Sequence, residues 1–299
     1  MSAHRVLFKP ATLWPAVLER TRHALARGAL APIETAQEVI EDGGVRFVVR
    51  RVSSLAHKAE DRARREERAR PADLRSAAFP IEQELFVAEV SDTHVAVLNK
   101  FPVIPHHLLL VTRRYVDQEA LPDEADFEAL AACLREFDSL GFYNGGVEAG
   151  ASQPHKHLQL VPLPLGADRA APVEALFKAL RAAPGIRRVP GLPFRHAFAW
   201  CEPVRNGAGT RLFRTFHSLF AAAGLGGTRR DGVLYQSAPY NMLIGRDWML
   251  VVPRSRECFE GISINALGFA GSLFVKNEHE LARVRRAGPM AVLAAVAVS

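Results

Sequence analysis

After Pro154 the chain alternates between two kinds of position: His155-Lys156-His157-Leu158-Gln159-Leu160. Read as an extended strand with a period of two, this run puts His155, His157 and Gln159 on one face. Leu158 and Leu160 point the other way, toward a core, and Lys156 is expected to lean out between the two sides. Just upstream, Gly150-Ala151-Ser152-Gln153 can bring backbone N–H groups and small polar side chains close to an anion.

The same two periods organise the rest. Apolar residues at Val17, Leu18, Leu25 and Ala26 predict a helix over residues 15–27, closed by Gly28. Strand patterns at 35–40 and 45–52 flank Glu41-Asp42-Gly43-Gly44, a hairpin signal because both glycines tolerate positive φ. Residues 84–90 and 93–98 read as a second hairpin. Residues 108–112 follow as a strand, after a connection stiffened by Pro102 and Pro105. The clearest helix spans 123–140: Pro122 precedes it, acidic residues fill its first turn and Gly141 ends it. Residues 142–147 are short and extended, and lead into the His155 strand.

Residues 80–162 therefore read as an α+β arrangement, an antiparallel sheet with packed helices. Proline at 162, 164, 184, 190 and 193 marks a composition shift around a helix at 173–182. The boundary is placed near residue 190, giving domains 1–190 and 191–299. Beyond it come a strand at 196–201, an amphipathic helix at 209–223 and a glycine turn at 224–227. A hairpin pairs 240–244 with 248–252, residues 263–276 are rich in small side chains, and a last helix begins at 278–286. The apolar run 290–298 is about half the length needed to span a bilayer, and reads as a buried helix.

Composition adds limits. The 299 residues are 48% apolar and 23% charged, as in a soluble globular protein. A net charge of +6 suits an anionic ligand, but it is spread out, which argues against nucleic acid as partner. Cys133, Cys201 and Cys258 form no CxxC pair, so neither a disulfide framework nor a thiolate zinc site is expected, and a reducing cytoplasm fits. The N-terminal residues lack a signal-peptide pattern, since Arg5 and Lys9 flank only three apolar residues. Residues 58–70 are dense in both charge signs and read as a solvated helix or loop, with Lys58 the one member of interest. The chain carries no GxxxxGK[ST], no GxGxxG after a strand, no GxSxG and no HExxH. Nothing in the sequence suggests an obligate interface, so a monomer is expected.

The two histidines allow three readings. They can be idle polar residues on a wet strand face, metal ligands, or a nucleophile with its support. A metal would need donors from elsewhere, and no Cys/His/Asp cluster offers them, so no protein-held metal is expected. As a nucleophile, imidazole with an ordinary pKa of ~6.5 is largely neutral near pH 7. It attacks phosphorus without first losing a proton, and the Gly150–Gln153 donors would stabilise the spreading charge. His106 and His107 read as structural, at the mouth of a strand.

The run Gly-Ala-Ser-Gln-Pro-His-Lys-His-Leu-Gln closely resembles the diadenosine tetraphosphate (Ap4A) phosphorylases, also called ATP adenylyltransferases. These belong to the histidine-triad superfamily, next to the galactose-1-phosphate uridylyltransferase branch. Gly44-Val45-Arg46-Phe47-Val48 with Leu55 and Lys58, Asn99-Lys100-Phe101-Pro102, Ala238-Pro239-Tyr240-Asn241-Met242 and the stretch from Ser263 to Lys276 resemble family segments in kind and order. The resemblance implies a histidine-triad-like fold and a nucleotidyltransferase in which His157 is the nucleophile, supported by His155 and Gln159. It implies contacts to nucleotide or phosphates from Lys58, Asn99, Lys100, Asn144, Gly150, Ala151, Ser152, Gln153, Asn265, Ala266, Leu267, Ser272 and Lys276. The expected partners are a dinucleoside polyphosphate, ATP, ADP and phosphate, with Mg2+ arriving on the nucleotide and no cofactor held by the protein. The competing readings are a uridylyltransferase acting on nucleotide sugars and a dinucleotide-binding sensor without turnover.

Overall fold

The structure, a computed structural model, describes residues 6–52, 81–167, 170–181, 185–205 and 207–299. The charged run at 58–70, including Lys58, lies outside them. The first helix, Leu13–Ala26, starts ahead of Pro15, which sits in the first turn where its missing N–H is not needed. Strands β1 (Thr35–Asp42) and β2 (Val45–Val52) form the expected hairpin across Gly43 and Gly44, at φ +56° and +79°. Both positive values match a two-residue turn whose twist suits paired strands. Then come β3 (Phe86–Glu89), β4 (His94–Leu98) and β5 (Leu108–Thr112).

The helix after β5 is Glu124–Leu134, opened by a reciprocal cap between Asp123 and Asp126. It ends earlier than expected, because Ser139 and Leu140 belong to β6 (Ser139–Gly145). Gly141 is a strand residue rather than a helix stop. A Cβ there would lie 3.2 Å from Leu130 Cδ1, so glycine lets the helix pack down onto the strand. Next are β7 (His157–Pro162), a 3-10 helix at Pro172–Leu180, β8 (Ala197–Trp200) and the helix Ala208–Ala222. A hairpin of β9 (Gly227–Arg230) and β10 (Val233–Gln236) was not foreseen, since β9 is exposed throughout and has no apolar alternation. The chain continues with β11 (Tyr240–Ile244), β12 (Trp248–Pro253), β13 (Cys258–Phe259), β14 (Ile262–Ser263), a four-residue helix Ala266–Phe269 and β15 (Ser272–Val275). It closes with helices Glu278–Ala287 and Pro289–Val296.

Eight strands form one antiparallel sheet in the order β3-β4-β5-β7-β6-β11-β12-β8, with β7 near its middle. The sheet is continuous across residue 190. Helices Leu13–Ala26, Glu124–Leu134 and Ala208–Ala222 pack on its back face, over Leu110, Leu158, Leu160, Met242 and Val251. On the front, β1-β2-β15, in which β15 runs parallel to β2, covers only part of the surface. Phe142, Val161, Leu243 and Val252 meet Phe47, Val49, Phe269 and Leu273 there. Val95, Val97 and Val111 form a separate small cluster farther along. His157 faces Val111 and Gln159 faces Leu109 across the β5/β7 pair, so both side chains lie on this front face. The fold is α+β, as the sequence pattern indicated.

Lys156 corrects one expectation. It does not lean out: it is buried on the back face, where its ammonium donates to Asp126 Oδ2 (3.0 Å) and Leu121 O (3.1 Å). Asp126 also takes His94 Nε2 at 2.8 Å. Lys156 shares the parity of Leu158 and Leu160, and a carboxylate on the overlying helix supplies the partner that burial demands. Burial alone raises the Asp126 pKa, but the Lys156 ammonium and the His94 imidazole hold the carboxyl well below the usual range. A depressed folded-state pKa places the stability above the ordinary value of 3.8 and removes it as pH falls toward the folded value. Replacing Asp126 by Ala leaves a buried, unpaired ammonium. Urea unfolding at pH 7 is expected to show a loss of about 3–5 kcal/mol, and the gap between the two proteins should narrow below about pH 4.

Candidate active site

The strand that carries His157 is held by a wedge. Ahead of β7, residues 154–156 leave β6 and pair instead with 116–118: Lys156 N donates to Val116 O (2.7 Å) and Gln118 N to Pro154 O (2.8 Å). The buried Gln118 side chain fills the split. Its Oε1 accepts the His157 N–H at 2.9 Å and its Nε2 donates to Asn144 O at 2.9 Å. A side-chain amide therefore replaces the ladder bond at His157.

Hydrogen bonds fix the imidazoles. His157 Nδ1 lies 2.8 Å from His155 O, and a carbonyl only accepts, so Nδ1 carries the proton. That leaves the Nε2 lone pair of His157 as the basic, nucleophilic atom. His155 Nε2 donates to Thr112 O (2.7 Å), beside the Thr112 hydroxyl (2.9 Å), which anchors the residue whose carbonyl orients His157. Burial pushes the pKa of His157 down against the pull of its bond to His155, and burial likewise lowers that of His155. With its pKa lowered by burial, the His157 ring is neutral at pH 7.

The anion cradle is narrower than the glycine-rich sequence suggested. Residues Val147–Ala149 form a 3-10 turn between Gly146 and Gly150, both at positive φ. Gly150 N donates to Val147 O and Ala151 N to Gly146 O, so these two N–H groups build the loop itself. The N–H groups of Ser152, which is exposed, and Gln153, which is half-buried, follow in the segment that leads to His155. Gly150 is at φ +88°, and a Cβ there would fall 2.8 Å from Asn265 Cβ and 2.9 Å from its Cα. Glycine thus lets the loop before the histidines touch the segment after β14.

That contact belongs to a buried polar network. Asn144 Oδ1 accepts from Asn241 Nδ2 and from Ala266 N, each at 2.9 Å. Asn241 Nδ2 also donates to Ala149 O (2.8 Å), while its Oδ1 accepts Arg254 Nη1 (2.6 Å). The remaining Arg254 N–H groups reach the carbonyls of Val296, Ile264, Arg256 and Glu257. Asn265 caps its short helix by accepting from Leu267 N. Asn144, Gly150, Asn265, Ala266 and Leu267 are thus brought together.

Others of the expected set stand apart. Asn99 and His107 lie on the front face, where His107 Nε2 is 2.9 Å from Gln159 Oε1 and Asn99 Nδ2 is 3.0 Å from His107 Nδ1. Lys100 pairs with Glu82 at 3.1 Å. Ser272 is fully buried, and its hydroxyl takes Arg50 Nη1, whose neighbour Nη2 holds Leu165 O. Lys276 is exposed, at the end of β15. A cavity of about 300 Å³ lined by Arg187, Arg188 and Arg195 opens beside β8, and among the described residues no expected site residue lines it. Sequence reasoning missed Gln118 and Arg254 and passed over His107. The first two sit in stretches with no motif of their own, whereas His107 shares the parity of Leu109, which faces Gln159.

An imidazole with a fixed tautomer and an open lone pair, on the front of an antiparallel sheet and beside a glycine loop, is the equipment of a histidine nucleophile. Residues 3–179 match the family model of the Ap4A phosphorylase N-terminal domain, and residues 190–299 that of the ATP adenylyltransferase C-terminal domain. The chain belongs to the Ap4A phosphorylase family. It is 25% identical to Protein APA1 of Saccharomyces cerevisiae, over 92% of this chain and 90% of that protein. It is 27% identical to diadenosine 5',5'''-P1,P4-tetraphosphate phosphorylase 2 of the same yeast, over 62% of this chain and 63% of that one. The crystal structure of yeast Ap4A phosphorylase Apa2 superposes with a TM-score of 0.74 at 22% identity, covering 96% of this chain and 94% of that one. Its complex with Ap4A gives the same TM-score at 21% identity, covering 96% and 97%. At these identities the structural likeness is one of fold.

Gly150 offers a test of the contact between the two segments. Gly150→Ala places a Cβ against Asn265 backbone, whereas Gly28→Ala, also at positive φ, meets open space. Both variants bear the left-handed strain of about 1–2 kcal/mol. In urea unfolding Gly150→Ala is expected to lose more than Gly28→Ala, and equal losses would remove the contact from the account.

Proposed function

We propose that this protein phosphorolyses Ap4A to ADP and ATP through a covalent adenylyl-histidine at His157. The observation that carries this reading is the His157 ring: Nδ1–H is tied to His155 O, and Nε2 is left to attack. Family membership supports the choice of substrate.

Nε2 of His157 bonds to the α-phosphorus of one adenosine, and the bond from that phosphorus to the bridging oxygen breaks, releasing ATP. The positive charge formed on the ring is delocalised to Nδ1–H and met by the His155 carbonyl. A phosphate oxygen then attacks the same phosphorus, the N–P bond breaks, and ADP leaves with His157 neutral again. Gln159 can hydrogen-bond the transferred group but cannot titrate, so it offers no base to activate water. The N–H groups of Ser152 and Gln153 are the donors for the developing charge on the phosphoryl oxygens.

On this reading residues 1–190 supply the nucleophile, and residues 191–299 complete the nucleotide site through Asn265, Ala266, Leu267 and Lys276. Lys58, Asn99 and Lys100 complete it from the first segment. Mg2+ enters on the polyphosphate. The enzyme works as a cytoplasmic monomer; its three widely spaced cysteines, with no CxxC pair, suit a reducing compartment.

The test is to incubate the protein with Ap4A, with and without phosphate, following ADP and ATP and the mass of the intact chain. An adduct of one AMP without phosphate, and its discharge to ADP with phosphate, is the expected result. His157→Ala should form no adduct, and turnover that survives in this variant would defeat the mechanism. Activity confined to nucleotide sugars would favour a uridylyltransferase, and binding without turnover a sensor. Because burial lowers the His157 pKa, adduct formation should stay flat as pH falls from 8 to about 6.5 and decline only below it. Stopped-quench measurement of the first turnover checks this.

A further inference from the structure

We propose that His107 is a positioning residue that fixes which end of the Gln159 amide faces the reacting phosphoryl group. The proposal rests on the adenylyl-transfer reading above. Its starting point is a backbone group whose polarity cannot change. Phe101 N–H donates to the Asn99 side chain at 3.2 Å, so the atom there is Oδ1 and not the amide nitrogen. Asn99 Nδ2 then points at His107 Nδ1, 3.0 Å away. An amide nitrogen only donates, so Nδ1 of the neutral ring is the acceptor and the ring proton sits on Nε2. His107 Nε2–H in turn lies 2.9 Å from the Gln159 side chain, and only Oε1 can receive it.

Each link has one allowed direction, and the chain ends at Gln159. Its oxygen is occupied, so its Nε2 is left to donate. Gln159 stands two residues from His157 on the same strand face, and both side chains are buried. The site is therefore given an N–H donor for phosphoryl oxygens at that position, and the lone pairs that would repel those oxygens are turned away. A glutamine with no such support rotates its amide freely between the two polarities, because oxygen and nitrogen differ little in size. The Asn99-Lys100-Phe101-Pro102 segment gains a purpose independent of any ligand contact: it is the fixed end of the relay.

Two measurements test this. The first is the tautomer of His107 in the full chain, read from the ring nitrogens of 15N-histidine-labelled protein at neutral pH, with the signal assigned by its loss in His107→Gln. A proton on Nε2 is expected, and a proton on Nδ1 overturns the proposal whether or not the protein turns over. The second compares two variants of nearly equal size. In His107→Gln the new amide can donate to Gln159 Oε1 and accept from Asn99, so adenylylation should stay within about 10-fold of the unmutated protein. In His107→Glu the carboxylate accepts from Gln159 Nε2 and turns Oε1 toward the phosphoryl group. The single-turnover rate at pH 8 should fall by about 10²-fold, the loss typical of one transition-state donor. The rate of this variant relative to the unmutated protein at the same pH should recover as pH falls and the new carboxyl regains its proton. Equal losses in the two variants, with an unaltered pH profile, would reduce His107 to packing and overturn the proposal. An unmutated protein that forms no adduct at all defeats the functional reading instead, and the tautomer measurement then decides this one alone.

Discussion

The buried guanidinium of Arg254 is the tie on which the site depends. Its five N–H groups meet one amide oxygen and four backbone carbonyls, and no carboxylate is among them. Burial lowers its pKa to about 10, so it remains charged at neutral pH. A charge held by carbonyl dipoles has strict geometric demands, because every donor must be matched or the desolvation cost is left uncompensated. Meeting them fixes residues 256, 257 and 264, the C-terminal helix and Asn241 relative to one another. Asn241 passes that order to Asn144 and to the Gly146–Gly150 loop. The segment carrying Asn265 is thereby set against the loop that precedes His157.

Around His157 the organising groups are neutral. A backbone carbonyl, the Gln118 amide, and the relay from Phe101 through Asn99 and His107 to Gln159 set polarity without setting charge. This matters for a polyanionic substrate. A carboxylate orienting His157 would repel the phosphates, while an ammonium beside it would make the imidazole a poorer base. The buried ion pair of Lys156 and Asp126, with His94 Nε2 on the same carboxylate, lies on the back of the sheet. There it fixes the strand from behind and stays away from the reacting face.

Much of this was readable in the chain, and the limits follow from the physics of each element. The alternation through His157, Leu158, Gln159 and Leu160 gave the strand and its two faces, since one residue of slip would exchange core and site. The Gly43-Gly44 hairpin was legible because only positive φ closes it. Lys156 was misread because a period of two assigns a side but says nothing about a partner, and Asp126 arrives from a helix about thirty residues away. The stop at Gly141 was misplaced because glycine serves close packing as well as helix ends, and only the position of Leu130 distinguishes the two. Gln118 and Arg254 carry no local signal. Each acts through backbone groups remote in sequence, and such contacts leave no spacing to find.

The central sheet places β6, from the first half of the chain, directly against β11, from the second. While the chain emerges from the ribosome, β6 waits with one row of N–H and C=O groups unpaired until residues 240–244 have been made. All seven of its residues are buried in the finished protein, and until then the edge presents Leu140, Phe142 and Tyr143 beside unpaired backbone, the kind of surface that pairs with other chains. Pairing of β2 with β15 closes a still longer separation. Such distant contacts slow folding, because loop closure comes before the contacts that repay it. The order of strands that assembles the site therefore also sets a vulnerability: the sheet that carries His157 keeps an open edge until the second half of the chain is made.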